Sequence, residues 1–460
     1  MHQRIILTIS CLAVFFEALD ASVLNMAIPS MEHYFNFGPD AIQWVQTVYL
    51  LFYGGFVLLG GRLSDIKGRR TIYITGAALF GAASFAAGCA GGFGWLLAFR
   101  AIQGIGVAFA IPAAISIIIN TFPEAAERNR AMGIFGAMAG TGFATGLAIG
   151  GMISTYLGWQ WVFFINVPVI ALAVVFALLY VPADKKQEQV VSSDYKSGIM
   201  ITLLMLAAAW LLHSLGTIGS NPWMFVGTLV GLLLLGTIFI RRERVQPFPL
   251  MDFSIFKLHG TIAGNLGALL TGAAFVSYLF LLTLYLQQHL LFKPDVAGLL
   301  LLPFSIMSGL FGKFLLPYCF KKVGVVRVGI IGNVFMLLGF ICFFCSYYGF
   351  FPLPLIVLGI FCTNTVGISM IFPSVTILSV QSAGPHQQGL ASGVNGTSSS
   401  FGGGFGLSII GLVMQVAPML HMDIHGISLM VLMVIELAAI ITLVVFQRKE
   451  SSLLAQQQLA

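Results

Sequence analysis

A few ionisable side chains lie inside long apolar stretches, where a charge is costly and suggests a function. Glu17 and Asp20 are three residues apart, a spacing that places both carboxylates on one face of a helix. Two carboxylates this close in an apolar medium disfavour double ionisation, so at least one of them is expected to hold a proton near neutral pH. Such a group can carry a proton between two compartments.

Arg100 is the expected partner of Asp20, because the two side chains lie at similar depths in their apolar stretches, measured from the same side. That depth is about seven residues, or roughly 10 Å at the rise of an α-helix. An ion pair that breaks when Asp20 takes up a proton would couple protonation to helix movement. The alternative is structural: Asp20 only pairs with a cation, and Glu17 only forms a hydrogen bond to a neighbouring helix.

Glu436 lies near the middle of the last apolar stretch, with no cation close to it in the sequence. It is a candidate for a second proton site or for a contact with a cationic substrate. A protonated side chain bonded to a neighbouring backbone or hydroxyl group is the structural alternative. Each ionisable group at such a depth costs at least ~2.5 kcal/mol to insert into a bilayer.

The elements that must position these groups are membrane-spanning helices. Of the 460 residues, 58% are hydrophobic and 8% are charged, and the mean hydropathy is +0.97, which excludes a soluble fold. Apolar stretches of about 17 to 25 residues recur along the chain, long enough for helices and too continuous for barrel strands. The sequence predicts an all-α membrane protein with spans at residues 4–29, 41–61, 71–90, 93–120, 129–155, 159–182, 197–214, 222–240, 258–288, 295–318, 325–348, 352–381, 387–416 and 425–447.

The basic residues predict the orientation of these fourteen spans. With both termini on the cytoplasmic side, all of the 22 Lys and Arg residues except Arg100, Lys293 and Lys313 fall in or beside inner segments. We therefore expect a multi-pass protein of a bacterial inner membrane. The first span is not expected to be a cleavable signal peptide, because it carries two carboxylates. The net charge of +6 then describes a surface facing anionic membrane lipid, and no nucleic-acid-binding pattern accompanies it.

Two hydrophilic stretches divide the chain. They predict an N-terminal six-helix bundle over residues 1–182, cytoplasmic linkers with two additional helices over 183–256, and a C-terminal six-helix bundle with a short tail over 257–460. The basic segment Lys321 to Arg327 occupies the place in the second bundle that Gly61 to Arg70 holds in the first. Repeated six-helix halves are typical of transporters whose substrate site lies near the middle of the membrane.

No cofactor or metal ion is expected, and the proton gradient would supply the energy. The Cys342 and Cys345 pair has C-x-x-C spacing but lies inside a span, where packing is the expected role. No phosphate-binding sequence of the Walker type occurs, so ATP is not expected to be used directly. We also find no catalytic constellation for an integral membrane enzyme, such as one that processes lipid, and no repeated polar pore lining for a channel.

Glycines and aromatic residues indicate a helix contact and a substrate cavity. A glycine stripe in the fifth span predicts close and smooth contact with another helix. Polar and aromatic side chains that could line a substrate cavity, where aromatic faces can hold lipophilic cations, are Asn25, Trp44, Tyr49, Gln103, Tyr278 and Tyr285.

Several motifs now resemble a known family, the major facilitator superfamily, and within it the fourteen-span drug:proton antiporters. Gly61 to Arg70 (GRLSDIKGRR) resembles the superfamily's loop between spans two and three. Leu19 to Pro29 resembles L-D-x-T-x-x-N-x-A-L-P, and Arg100 to Gly106 resembles R-x-x-Q-G-x-G. Gly158 to Pro168 is similar to G-W-R-W-I-F-F-I-N-V-P, with Gln160 in place of the arginine.

The resemblance implies roles for particular residues. Asp20 and Arg100 would form a proton switch, while Glu17 lies outside the family pattern. A conformational latch would involve Gly61, Asp65, Gly68, Arg69 and Arg70. The antiporter helix would be marked by Gly133, Gly142, Gly146, Gly150 and Gly151, with Leu147 where the family carries a proline that bends the helix and is thought to favour export.

The expected function is proton-coupled export of hydrophobic, cationic drugs by alternating access, performed by a monomer. Its partners would be the small substrate, protons and membrane lipid. The alternative within transport is proton-coupled movement of a specific metabolite, lipid or siderophore.

Overall fold

The structure is a computed structural model that describes residues 2–182, 194–216, 218, 221–246, 249–381, 383 and 387–459. Across these residues it contains helices and no strand. The predicted linker around Lys185 and Lys186 lies outside the described residues.

The first ten α-helices contain the spans expected in the N-terminal bundle and the two additional spans. They are α1 His2–Phe35, α2 Pro39–Ile42, α3 Trp44–Lys67, α4 Arg69–Gly88, α5 Phe93–Thr121, α6 Ala125–Tyr156, α7 Trp161–Phe164, α8 Asn166–Tyr180, α9 Tyr195–Leu215 and α10 Pro222–Val245.

The remaining α-helices are interrupted by π-helical segments at Tyr285–His289, Phe311–Leu315 and Phe361–Gly367. A 3-10 helix at Phe253–Lys257 precedes them. They are α11 His259–Leu284, α12 Pro294–Leu310, α13 Leu316–Val323, α14 Val325–Tyr347, α15 Pro352–Ile360, α16 Ile368–Gln381, α17 Gln388–Met419 and α18 Ile424–Leu459.

The predicted number of spans is confirmed: fourteen helical segments of the described chain are long and apolar enough to cross a membrane. Several spans are built from more than one helix. The sixth combines α7 and α8, which meet at Ile165, and the twelfth combines α15, the π-helical segment Phe361–Gly367 and α16.

The predicted loop from Gly61 to Arg70 is wrong in extent. α3 continues to Lys67 and α4 begins at Arg69, so Gly61 is helical and only Gly68 forms the turn. Gly68 has φ 98° and ψ 137°, a conformation that a residue with a Cβ adopts only with strain. The charged side chains of this segment therefore project from helix ends.

The same turn recurs between α13 and α14. Gly324 has φ 88° and ψ 158°, and α14 begins at the next residue, as α4 does after Gly68. This repeated backbone geometry accompanies the basic residues that the sequence showed at both places.

The chain divides into two compact units. The first contains Met1–Leu250 and Leu279–Ile306, and the second contains Met251–Tyr278 and Met307–Ala460. The predicted division at residues 182 and 256 stays a prediction.

Within the first unit, α9 packs against α3, and α10 packs mainly against α9. A polar cluster joins these two helices at the start of α9. Asp194 accepts a hydrogen bond from the Ser197 amide, at 3.3 Å, and pairs with Arg242, at 2.8 Å, while the Ser197 hydroxyl also contacts Glu243. Burial raises the pKa of Asp194, but hydrogen bonds from Ser197 and Gln246 and the charge of Arg242 lower it overall.

Candidate functional site

Asp20 of α1 and Arg100 of α5 form a buried ion pair in the first unit. Arg100 Nη1 donates to Asp20 Oδ2 at 2.6 Å, and the two side chains are 1% and 2% exposed, respectively. The pairing predicted from their matching depths is therefore present. Fully desolvated ions of opposite charge stabilise each other strongly, and removing one of them strands the other.

Three further side chains surround the carboxylate of Asp20. Asn166 Nδ2 donates to Asp20 Oδ1 at 2.8 Å and to Ser84 Oγ at 3.2 Å. Gln103 Nε2 lies 3.1 Å from Ser84 Oγ and 3.5 Å from Asp20 Oδ1. All of these side chains are buried, and every group that contacts the Asp20 carboxylate here is a hydrogen-bond donor.

Arg100 has several partners besides Asp20. Its Nε donates to the Val45 carbonyl oxygen at 3.0 Å, and its Nη1 donates to Gln103 Oε1, also at 3.0 Å. The guanidinium carbon lies 4.2 Å from the centre of the Tyr49 ring and 5.9 Å from that of Phe163. The cation is therefore held by neutral acceptors and aromatic faces as well as by Asp20.

The break between α7 and α8 positions one of these partners. Asn166 is the first residue of α8, and the Ser84 hydroxyl donates to the Phe163 carbonyl oxygen at 3.0 Å, just before the break. Asn166 and Ser84 were not among the predicted site residues. The signal for Asn166 was present, since an amide side chain occurs in an apolar span within the motif Gly158 to Pro168.

Glycines of α6 lie directly against the helix that carries Asp20. A Cβ added at Gly142 would lie 2.5 Å from the Phe15 carbonyl oxygen, and one at Gly146 would lie 2.7 Å from the Leu19 carbonyl oxygen. At Gly150, it would lie 2.8 Å from Val23 Cα. These backbone contacts follow both helices at four-residue intervals, so a side chain here would force α1 and α6 apart.

The other two glycines predicted for the antiporter helix differ from these. A Cβ at Gly133 would meet nothing within 4 Å, so this glycine is not part of the contact with α1. Gly151 faces α12, where a Cβ would lie 2.9 Å from Asp295 Cα.

The end of α6 and the start of α12 form a second set of contacts within the first unit. Tyr156 OH donates to Asp295 Oδ2 at 3.1 Å, and the Asp295 amide donates to Thr155 Oγ1 at 3.2 Å. The Leu147 carbonyl group touches Gly298, and α6 continues through this position without a break.

α1 contacts the π-helical segment that follows α11 at the same end of the first unit. Gln287 Nε2 donates to the Met26 carbonyl oxygen at 3.1 Å, and Gln288 Nε2 donates to Glu32 Oε2 at 2.7 Å. We call the contacts of Tyr156, Thr155, Gln287 and Gln288 described here the outer clasp, because the orientation predicted from the basic residues places them on the outer side of the membrane.

Glu17 is half-buried on α1 and forms no hydrogen bond or ion pair with any described residue. It is close enough to the half-buried Tyr53 of α3 to interact with it electrostatically. A carboxylate beside an exposed part of an aromatic ring is a favourable environment for an organic cation.

The predicted cavity residues lie in different places. Asn25 Oδ1 accepts a hydrogen bond from Gln46 Nε2 at 2.7 Å. The Trp44 ring packs against Trp210 and His213 of α9, with centroid distances of 5.7 Å to each.

Tyr49 and Gln103 belong to the surroundings of Arg100. The other two predicted rings are buried: Tyr278 packs against Phe340 at 5.5 Å, and Tyr285 stacks on His289 at 5.0 Å. The role of each in substrate binding stays a prediction.

The predicted latch residues lie at the facing ends of α3 and α4. Asp65 is exposed and forms no hydrogen bond or ion pair within the described part of the chain, although it is near Arg69. Arg70 Nη2 donates to the Leu178 carbonyl oxygen at 2.6 Å, in the last turn of α8. The latch role stays a prediction.

Glu436 is fully buried on α18 in the second unit. Neither of its carboxylate oxygens has a hydrogen-bond partner among the described residues. The bond to a backbone or hydroxyl group that would have given it a purely structural role is therefore not formed there.

Known proteins are similar to this chain in sequence or in fold. The Major Facilitator Superfamily sequence model matches residues 10–407. The cephamycin export protein CmcT of Amycolatopsis lactamdurans is 31% identical over 415 residues, covering 88% of this chain and 83% of that protein. The puromycin resistance protein pur8 of Streptomyces alboniger is 31% identical over 424 residues, covering 89% and 81%, respectively.

A solved structure of the POT family transporter PepTSo has the same fold, with a TM-score of 0.71 and 13% identity over 98% of each chain. These proteins are transporters rather than enzymes. The chain therefore belongs to the major facilitator superfamily and is a multi-pass membrane transporter, with relatives named for exporting or resisting antibiotics and drugs.

Proposed function

We propose that the protein exports hydrophobic, cationic compounds from a bacterial cytoplasm in exchange for protons, by alternating access. The observation that carries the proposal is the buried ion pair between Asp20 and Arg100, because Arg100 has other acceptors around it. An ionisable pair of this kind inside a membrane span is a natural proton switch.

Protonation of Asp20 would remove the charge that Arg100 contacts. All of the donors around the carboxylate favour its ionised form, so a proton must displace one of them. Oδ2 contacts Arg100 alone in this group, whereas Oδ1 contacts Asn166 and Gln103. A proton on Oδ2 therefore releases Arg100 while Asn166 still holds the other oxygen.

The neutral partners of Arg100 lower the cost of that release. Breaking a buried ion pair by removing one partner costs about 3–5 kcal/mol, since an uncompensated charge is left behind. The Val45 carbonyl oxygen, Gln103 Oε1 and the Tyr49 ring remain to hold the guanidinium group. The switch can therefore operate without exposing a bare cation to lipid.

The contact between α1 and α6 would transmit the change. Asp20 lies between Leu19 and Val23, whose backbones contact Gly146 and Gly150. A movement of α1 would thus act directly on α6, whose far end contributes to the outer clasp. These outer contacts would close the path to the outside, and their opening would release substrate.

The relatives support a small organic substrate, and Glu17 supports one that is cationic. CmcT and pur8 are named for a cephamycin and for puromycin, which are small organic molecules. In this chain, the unpaired carboxylate of Glu17 near Tyr53 suits a lipophilic cation.

The cellular setting belongs to the same proposal. Both termini would be cytoplasmic in a bacterial inner membrane, because the basic residues beside Gly68 and Gly324 would then lie on the cytoplasmic side. The protein would act as a monomer in contact with anionic lipid, with no cofactor other than the proton gradient and no nucleic-acid partner.

The test is ethidium efflux from proteoliposomes under an imposed pH gradient. Wild-type protein should drive efflux and consume the gradient. Asp20→Asn should lower the rate at least tenfold, because the amide cannot exchange a proton, while the melting temperature stays close to that of the wild type.

Asp252→Asn is the matched control, since Asp252 caps a short helix outside the spans and asparagine caps equally well. Its transport should equal that of the wild type. Unchanged transport by Asp20→Asn would contradict the proton switch. If no cationic dye is exported but a metabolite, lipid or siderophore is transported together with protons, that compound is the substrate and the proposed drug substrate is wrong.

A further inference from the structure

Glu436 lies in an environment that differs from that of Asp20. Asp20 contacts a guanidinium group, whereas neither oxygen of Glu436 has a hydrogen-bond partner among the described residues, and its side chain is 0% exposed. The helix that carries Glu436 packs against α14, α17 and α11. The two carboxyl groups are therefore expected to be in opposite protonation states.

The position of Glu436 follows from the register of α14 and α18. A Cβ at Gly329 would lie 3.1 Å from Leu443 Cδ1, and the rings of Tyr347 and His425 stack at 5.2 Å. Both contacts fit one antiparallel register, which places Glu436 opposite Met336. Met336 is itself fully buried near the middle of its span, so Glu436 has an apolar side chain opposite it on α14.

No charged group on the neighbouring helices lies opposite Glu436. On α14, the ionisable residues are Arg327, Cys342, Cys345 and Tyr347, and on α18 they include His425, Arg448 and Lys449. Arg327 is separated from the level of Glu436 by roughly 13 Å along α14, and His425 by roughly 16 Å along α18. On α11, which meets α18 where Gly267 faces Leu443, the ionisable residues are Tyr278 and His259, which contacts Lys449 at 2.7 Å. The described part of α17 contains no ionisable side chain.

An isolated carboxylate in such a place would lack both water and a counter-ion. The acid form has no charge to solvate, so it is the form that this environment favours. We therefore expect Glu436 to hold a proton at neutral pH.

Polar atoms nearby could bind water that carries that proton. Asn333 lies one helical turn from the level of Glu436, and its buried Oδ1 accepts no hydrogen bond from the described chain. Asn364 Nδ2 is likewise buried without an acceptor there, in the π-helical segment Phe361–Gly367 that packs against α14. π-helical segments inside α-helices are frequent at functional sites.

We propose that Glu436 is a second proton carrier, which binds a proton in this state and releases it in another state of the transport cycle. The proposal rests on the proposed function, since it assumes that a proton gradient drives transport. It adds one proton to the single proton that Asp20 would exchange.

The first measurement is infrared spectroscopy of the reconstituted protein at neutral pH. Wild-type protein should show the carbonyl stretch of a protonated, poorly hydrogen-bonded carboxyl group, and Glu436→Gln should remove it. Glu127→Gln, at an exposed position of α6, is the matched control and should leave the band unchanged. Survival of the band in Glu436→Gln would overturn the proposal.

The second measurement is the number of protons exchanged per substrate molecule. Glu436→Gln should lower this ratio by about one and keep pH-driven efflux, whereas Glu436→Asp should restore the wild-type ratio. An unchanged ratio in Glu436→Gln would overturn the proposal. Weaker binding of cationic substrate at an unchanged ratio would show that Glu436 is a substrate contact instead.

The two proposals fail in different ways. If Asp20→Asn exchanges protons at the wild-type ratio, the switch at Asp20 is wrong, and the infrared band of Glu436 still decides the second site. If Glu436→Gln does not fold, the infrared band of the wild-type protein is measured as a function of pH, with and without substrate. A band that stays the same under all of these conditions would contradict the proposal that Glu436 releases its proton.

Discussion

At the scale of single residues, Asn166 is the neutral side chain in closest contact with Asp20. Its amide donates at 2.8 Å to the oxygen that does not face Arg100, and it also bridges to Ser84. A donor in this position stabilises the ionised carboxylate. It also directs an incoming proton towards the other oxygen, where the ion pair is.

Asn166→Ala should move the pH of half-maximal transport upwards by about one unit. A hydrogen bond to a charged group contributes about 1.5–3 kcal/mol, and its loss makes the ionised carboxylate less favourable. The measurement is the pH profile of efflux at constant gradient. Asn120→Ala, at an exposed position near the end of α5, is the control and should leave the profile in place. A lower maximal rate with no shift would show that Asn166 serves packing alone.

The pair of Asp20 and Arg100 could be predicted from the sequence because charges inside apolar spans are rare and their depths can be compared. The amide and hydroxyl side chains around this pair could not be identified in the same way. Asn166 and Ser84 are ordinary polar residues in a chain that has many, and only the packing of α4, α5 and α8 around α1 brings them to the carboxylate.

At the scale of helices, the contact between α1 and α6 depends on which glycines lie in it. Gly146 and Gly150 meet the α1 backbone, whereas Gly140 of the same helix meets nothing within 4 Å of an added Cβ. The two classes of glycine cannot be separated by sequence, because both repeat at helical spacing.

Gly146→Leu should abolish efflux and lower the melting temperature, since its side chain would overlap the Leu19 carbonyl oxygen. Gly140→Leu is the matched control, because the same side chain has space there and leucine favours a helix by up to about 1 kcal/mol over glycine. Efflux and thermal unfolding of both variants are measured side by side. Equal loss in the two would contradict a specific contact at Gly146.

Helix ends and interruptions were the least predictable elements. The sequence placed a charged loop at Gly61 to Arg70, but α3 continues through it and turns only at Gly68. Polar residues at the end of a span do not have to leave the helix when they can project beyond the apolar layer. The π-helical segments were not foreseen. The break at Ile165 has a visible cause in the sequence, because Pro168 cannot donate a backbone N–H to the Phe164 carbonyl oxygen.

At the scale of the whole molecule, fourteen apolar segments and the distribution of basic residues were sufficient to predict the architecture. The signal is strong because every backbone polar group in a bilayer must be bonded within a helix. The outer clasp was not foreseen, since Tyr156 and Asp295 are unremarkable surface residues that meet only through the fold.

Tyr156→Phe should make the clasp open more often. We expect a thiol introduced by Ala148→Cys, in a protein whose exposed Cys89 is replaced by serine, to react faster with a membrane-impermeant maleimide when the Tyr156 hydroxyl is absent. Tyr318→Phe, at an exposed position of α13, should not change the rate. Equal labelling in both would show that the Tyr156 hydroxyl does not stabilise the closed clasp.

Glu436 lies opposite no charged group of the described helices around it, and this affects how the cell would energise the transporter. If Asp20 alone exchanged a proton for a monovalent cation, each turnover would be electrically silent and driven only by the difference in pH. With a second proton returning on Glu436, one net positive charge would enter per turnover, and the membrane voltage would contribute about 2.3 kcal/mol per 100 mV. Export would then continue in a cell whose interior and surroundings have the same acidity.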